Sequence, residues 1–249
     1  MNKNNLFSSL TLLGLFVFSS CNLDLAPEDT LSPKTYFKNG PQLELWTNHF
    51  YSLFPDVDDL AKQNADDNIS SELGETLMGQ RSAASENGWT WERLRDINYY
   101  LQHSNQCPDE HVRKQYDGVA YFFRAYFYFD KVKRYGDVPW YDQVLNSNDD
   151  KLLAKPRQDR EIIMDSVMQD LDKAIGMLPT KKDQVRVTKW TALALKSRVA
   201  LYEGTFRKYR GMNDAEKYLK QAVAAGEQFI DNSGYRLYTN GVEPYRTLF

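Results

Sequence analysis

Cysteine is nearly missing from this chain of 249 residues: Cys21 and Cys107 are the only two, too few for a disulfide framework or a thiolate zinc site. Histidine is as scarce, at three, and the three do not form a credible general-base constellation. An excess of positive charge is also lacking. With 31 Lys and Arg against 34 Asp and Glu, the net charge is −3. The concentrated basic surface that neutralises phosphates is therefore absent, and no nucleic-acid partner is expected. Thirteen Gly and nine Pro fall below the low-complexity and collagen-like regimes. No G-x-S-x-G, H-E-x-x-H or phosphate-cradling Gly-rich loop occurs, so no motif selects a catalytic centre. What the chain does have is aromatics: 5 Trp, 16 Tyr and 13 Phe, material for a packed core and an argument against disorder.

Residues 6–18 (LFSSLTLLGLFVF) form the longest apolar run. It is too short to span a bilayer, which needs about 20 residues, and has the length of a secretory hydrophobic region. Val17-Phe18-Ser19-Ser20-Cys21 sets small residues directly before a cysteine, as in the lipobox of bacterial lipoproteins. Residues 1–20 are thus read as a signal peptide and Cys21 as the lipidated N-terminus of the processed chain; the plainer alternative is a secretory signal with a coincidental cysteine. Acyl chains contribute about 0.8 kcal/mol per buried CH₂, enough for several together to anchor a protein without a transmembrane helix. Residues 21–40, with Pro27 and Pro33 and little periodicity, read as an extended tether.

From residue 41 helical spacing dominates. Leu43, Trp46, Phe50, Leu53 and Phe54 make one stripe over 42–54, before Pro55. The polar stretch 56–88 reads as long irregular structure, which in compact domains is usually functional or disordered. Trp91, Leu94, Ile97 and Leu101 mark a helix over 89–104. The longest helix is expected over 109–135, apolar around most of its circumference and so packed on several sides, with a left-handed cap at Gly136 and Pro139 beyond. Further helices are expected over 160–178, 188–203 and 215–230, with a basic loop at 205–213 between the last two. The sole strand candidate is 235–238.

Val167-x3-Leu171-x2-Ala174-x4-Pro179 has the spacing of the second half of a tetratricopeptide repeat, and Ala215-x3-Leu219-x2-Ala222 repeats it. The fold class read from these patterns is mostly α, a tetratricopeptide-like helical array with long irregular loops; a generic helical array gives such spacings too.

The run YDGVAYFFRAYFYFDKVKRYGDVPWYDQVL at 116–145 resembles the G-E-A-R-F-x-R-A-x-x-Y-F-x-L-V-x-x-Y-G-D-V-P block of the SusD/RagB family of outer-membrane nutrient-uptake lipoproteins. LSPKTYF (31–37), WTWERLRDINYYL (89–101), DREIIMDSVMQDLDKAIGMLP (159–179), KWTALALKSRVALYEGTFRKY (189–209) and YLKQAVAAGEQFIDNSGYRLY (218–238) are similar to further family blocks, in the same order. Val119 departs from the pattern, which has Glu there. The resemblance implies a surface-exposed lipoprotein of the outer membrane that binds glycan or another nutrient. It would deliver this ligand to a SusC-like TonB-dependent transporter, without catalysis and without a cofactor. Family members are about twice as long, so 41–249 corresponds to the N-terminal helical region and the C-terminal half is expected to be absent. Two other readings are a scaffold that docks the transporter without contacting sugar and a surface glycoside hydrolase.

Sugar recognition combines aromatic faces with planar polar groups that reach hydroxyl pairs. Asp66, Asp67, Asn68, Arg81, Trp89 and Trp91 supply these types around the long loop. Of the two tryptophans, Trp91 falls in the stripe with Leu94 and Ile97 and is assigned to the core, whereas Trp89 lies one step outside. The ligand-binding candidates are therefore Trp89, Arg81, Asp67 and Asn68. Asp66 and Asp67 can equally solvate a turn. Arg124, within the aromatic helix, requires a carboxylate such as Asp170 or Asp172. His103, Cys107 and His111 have ligand-like spacing, but Pro108 interrupts the helix that would align them; no metal is assigned.

Overall fold

The computed structural model describes residues 35–56, 74, 75, 77–80, 82 and 88–247; all but Thr35 and Tyr36 belong to one compact unit beginning at Phe37. The proposed signal peptide, Cys21 and most of the tether lie outside the described residues.

The first helix among the described residues, α1 (Gly40–Asn48), starts where the Asn39 side chain accepts a hydrogen bond from the Gln42 amide, with proline in its first turn. It tightens into a 3₁₀ turn, His49–Leu53, ahead of Pro55. Helix α2 (Glu92–His103) begins only after Trp91 and is followed by a second 3₁₀ turn, Ser104–Gln106. Helix α3 (Glu110–Tyr135) has 26 residues and is about 39 Å long. The Asp109 carboxylate caps its start, accepting from the Val112 amide at 3.1 Å. It ends at Gly136, whose φ of 71° disfavours any side chain; its ψ of −110° lies outside the left-handed helical basin expected there.

The all-round apolarity of α3 is explained by its neighbours. Phe123 meets Tyr51 of the first 3₁₀ turn and Phe54 just after it at ring distances of 4.8 and 5.1 Å, while Tyr128 stacks on Trp140 at 4.2 Å. An arm, residues 137–159, then leaves the helical layer, contains only the short α4 (Asp150–Leu153), and is closed by one backbone bridge between Val138 and Gln158.

Helices α5 (Arg160–Met177), α6 (Lys189–Tyr209) and α7 (Ala215–Asn232) complete the array, with α8 (Pro244–Thr247) as a final turn. α5 packs on α3 and α7 on α6, two helical hairpins of tetratricopeptide type joined through α5 and α6. Two corrections follow. Helix α6 does not stop at Glu203 with a loop from 205; it runs on to Tyr209, because Arg207 is buried and bonded one turn back to Glu203 at 2.8 Å. Residues 235–238 form no strand: nothing pairs with them, and among the described residues the only β pairing is the Val138 bridge.

Small residues sit where the helices of each hairpin approach most closely. A Cβ on Gly118 would come 3.0 Å from that of Met177, and one on Gly204 would come 2.8 Å from Leu219 Cγ and 3.0 Å from its backbone nitrogen. Helix propensity alone favours alanine over glycine by about 1 kcal/mol. At Gly204 the backbone of α7 stands in the way, so Gly204→Ala is expected to destabilise by about 1–3 kcal/mol in urea unfolding. A variant as stable as the parent would show that the α6–α7 contact is loose.

Candidate functional site

The site is built on α2 and the arm. Asn98 of α2, 2% exposed, donates through Nδ2 to the carbonyls of Tyr141 and Gln143 at 3.0 and 3.2 Å. The Tyr128 hydroxyl of α3 accepts from the Tyr141 amide at 2.6 Å and faces the Tyr141 carbonyl at 3.2 Å. Because Tyr128 is fully buried, its hydroxyl is held well above the usual phenol range and stays protonated, able to donate as well as accept. These side chains give the arm the backbone partners that a sheet would otherwise provide.

Between arm and helix runs a cleft of about 650 Å³, whose walls include Trp89, Trp91, Leu94, Tyr141, Leu145 and Leu153, with Glu92, Arg95, Gln143, Lys155 and Arg157 among its polar lining. That volume and mixture suit a small-molecule or oligomer site. Trp89 keeps 38% of its surface exposed. It meets Trp91 at 5.1 Å and Tyr135 at 4.8 Å, both edge to face, and the Arg157 guanidinium lies 4.7 Å from its ring centre. Trp91 meets Tyr141 at 5.7 Å. The segment carrying both tryptophans is pinned from beneath by Lys131, a nearly buried cation among Phe127, Trp91 and Tyr135 that donates to the Gly88 carbonyl.

The assignment of Trp91 wholly to the core is therefore corrected: it stands just before α2, is half-buried, and lines the cleft beside Trp89. Asp66, Asp67, Asn68 and Arg81 lie outside the described residues. The arm residues Tyr141, Lys155 and Arg157 were not candidates from sequence. YGDVP followed by two aromatics was the available signal, since it takes the chain abruptly off a buried helix.

His103 and His111 belong to different helices, α2 and α3. His103 Nδ1 bonds the Tyr99 carbonyl at 2.8 Å, and Cys107 is buried in the link between the helices. Among the described residues no three His, Cys, Asp or Glu side chains are placed to hold a metal. Arg124 takes Asp170 as its partner, while Asp172 pairs with Lys196 on the surface.

The chain resembles known proteins along most of its length. SusD-like protein P38 of Formosa agariphila is 26% identical across 86% of this chain and 44% of its own length. A crystal structure of a SusD-like protein from Bacteroides fragilis NCTC 9343 superposes with a TM-score of 0.71 at 25% identity, covering 90% of this chain and 44% of that one. A laminarin-binding SusD-like protein superposes at 0.61 with 20% identity, covering 80% and 46%, a likeness of fold. The chain thus spans under half the length of these relatives. A family model described as starch-binding, associating with the outer membrane, matches residues 45–201, well over half of the sequence, and the chain belongs to this SusD-like family.

Proposed function

We propose that this chain captures glycan at the outer surface of a bacterial outer membrane, in the cleft between α2 and the arm, and passes it to a SusC-like TonB-dependent transporter. The observation that carries the reading is the aromatic cleft itself. Trp89, Trp91 and Tyr141 offer ring surface beside Gln143, Glu92 and two guanidinium groups, the combination that a pyranose with one apolar face and paired hydroxyls requires. Family membership supports the class of ligand, as do relatives described as binding laminarin or solved with xylogluco-oligosaccharide. Acylation at Cys21 would hold the protein to the membrane, in keeping with the family's description. Binding, not bond cleavage, is the activity proposed, because retention needs only what the cleft supplies.

Incubation with a panel of oligosaccharides, followed by chromatography of the sugars and titration calorimetry, separates the readings: retention of intact sugar supports the binder, cleavage the hydrolase, and neither the docking scaffold. In the same assay Trp89→Ala is expected to weaken binding by about 1–2 kcal/mol, roughly five- to thirtyfold. Unchanged affinity would remove Trp89 from the site.

A further inference from the structure

We infer that the sugar taken by this cleft is anionic, carrying carboxylate or sulfate groups, and that Arg95 and Arg157 select it; this rests on the cleft being the glycan site. Among the described residues three cations, Arg95, Lys155 and Arg157, line the cleft against one carboxylate, Glu92, in a chain whose net charge is −3. The sign of this lining is thus opposite to that of the whole chain.

The state of the two arginines sharpens the point. The buried arginines of the fold are engaged, Arg124 with Asp170 and Arg160 and Arg207 with Glu203, whereas the two in the cleft share the unpaired state of exposed Arg198 and Arg236. Among the described residues neither the Arg95 nor the Arg157 guanidinium pairs with a carboxylate or donates a side-chain hydrogen bond. Arg157 rests over the Trp89 ring, a contact that engages a face of the guanidinium and uses none of its N–H donors. Arg95 stands on the exposed face of α2, one turn after Glu92. Lys155 donates one of its three N–H groups to the Trp140 carbonyl at 3.0 Å and adds charge as a compact point cation rather than a planar fork.

A carboxylate or sulfate oxygen pair fits such a fork in a way that a hydroxyl does not, and charge-assisted hydrogen bonds are about twice as strong as neutral ones. A neutral glycan would gain the aromatic surface and offer the guanidinium groups only hydroxyl acceptors, the weaker hydrogen bonds. The anionic group therefore supplies discrimination, and the rings supply the sugar contact.

The test is calorimetric titration of the purified chain with three probes of similar length: an oligogalacturonate, a sulfated galactan oligosaccharide, and a laminari-oligosaccharide. At least tenfold tighter binding of one or both anionic probes is expected, with the preference shrinking as sodium chloride rises from about 20 to 300 mM. The two anionic arms distinguish carboxylate from sulfate. In R95Q, a change on an exposed helix face, and in R95Q/R157Q, the anionic affinity is expected to fall toward the neutral one while the melting temperature stays. Equal binding of all three probes, tighter binding of the neutral one, or a preference indifferent to salt would overturn the anionic assignment and leave the glycan cleft standing. Binding of none of them would remove both.

Discussion

Replacing Asp170 by alanine is expected to remove about 3–5 kcal/mol of stability, because it strands a buried guanidinium. Arg124 bonds Asp170 twice, Nε to Oδ2 at 2.6 Å and Nη2 to Oδ1 at 2.9 Å, with side-chain exposures of 6% and 2%. Burial alone would pull the arginine down from its ordinary range, but the carboxylate outweighs it and holds the group above, so Arg124 remains charged. Without Asp170 the positive group keeps Asn98 Oδ1 at 3.2 Å, the faces of Tyr121 and Trp140 and the weaker field of Asp142, while Lys173, 3.6 Å from the lost carboxylate, becomes an unfavourable neighbour. Urea unfolding measures the loss. The double variant R124M/D170L is expected to recover most of it, since an apolar pair needs no partner. A double variant as unstable as Asp170→Ala would mean that packing, not stranded charge, explains the effect. The consequence reaches the cleft: Asn98 also holds the carbonyls of Tyr141 and Gln143, so the Asp170 variant is expected to bind sugar less tightly as well.

The second large effect is expected at Glu203, completely buried in α6. Two arginines share it: Arg160 Nε approaches Oε2 at 3.1 Å and Arg207 Nε approaches Oε1 at 2.8 Å. Each is also laid against a ring, Arg160 on Phe206 at 3.3 Å and Arg207 on Tyr218 at 4.4 Å. Arg160 opens α5 and Tyr218 belongs to α7, so one carboxylate ties three helices. Glu203→Ala leaves two cations facing one another in a dry site, at a cost of about 3–5 kcal/mol or more. For a domain of this size that is a fall of roughly 6–20 °C in melting temperature. Arg207→Met is expected to cost less, because Arg160 and Glu203 still pair. Should Glu203→Ala melt within a few degrees of the parent, water must reach the cluster and the three-helix tie would be dismissed.

What could be read from the sequence divides along physical lines. The limits of α3 were legible because they are set by local chemistry: Asp109 accepts from its own helix and Gly136 adopts a φ that other residues avoid. The need for a carboxylate opposite Arg124 was legible too, since a charge inside an aromatic helix must be paired. The end of α6 was not. Arg207, Lys208 and Arg210 have the composition of a solvated loop, and only the burial of Arg207 against Glu203 shows otherwise. Trp91 misled for the converse reason: it carries the helical spacing, but α2 starts one residue later, and its ring turns toward Tyr141. The arm offers no periodicity from which its folding back could be inferred; its place depends on Tyr128 and Asn98, distant in sequence.

That dependence gives the cleft two sides of unequal compliance. On one side Leu94 and Arg95 stand in the first turn of a continuous helix, in which the Arg95 amide bonds the Trp91 carbonyl at 3.0 Å and the amides after it bond within the helix. On the other, residues 139–145 are fastened at Trp140, Tyr141 and Gln143 by side chains reaching from elsewhere. Amide hydrogens of the arm should accordingly exchange ahead of those of α2 and slow when sugar is bound. Any widening needed for a branch or bulky substituent comes from the arm, so the cleft tolerates decoration on the edge of the sugar chain that faces Tyr141 and resists it on the edge that faces Arg95.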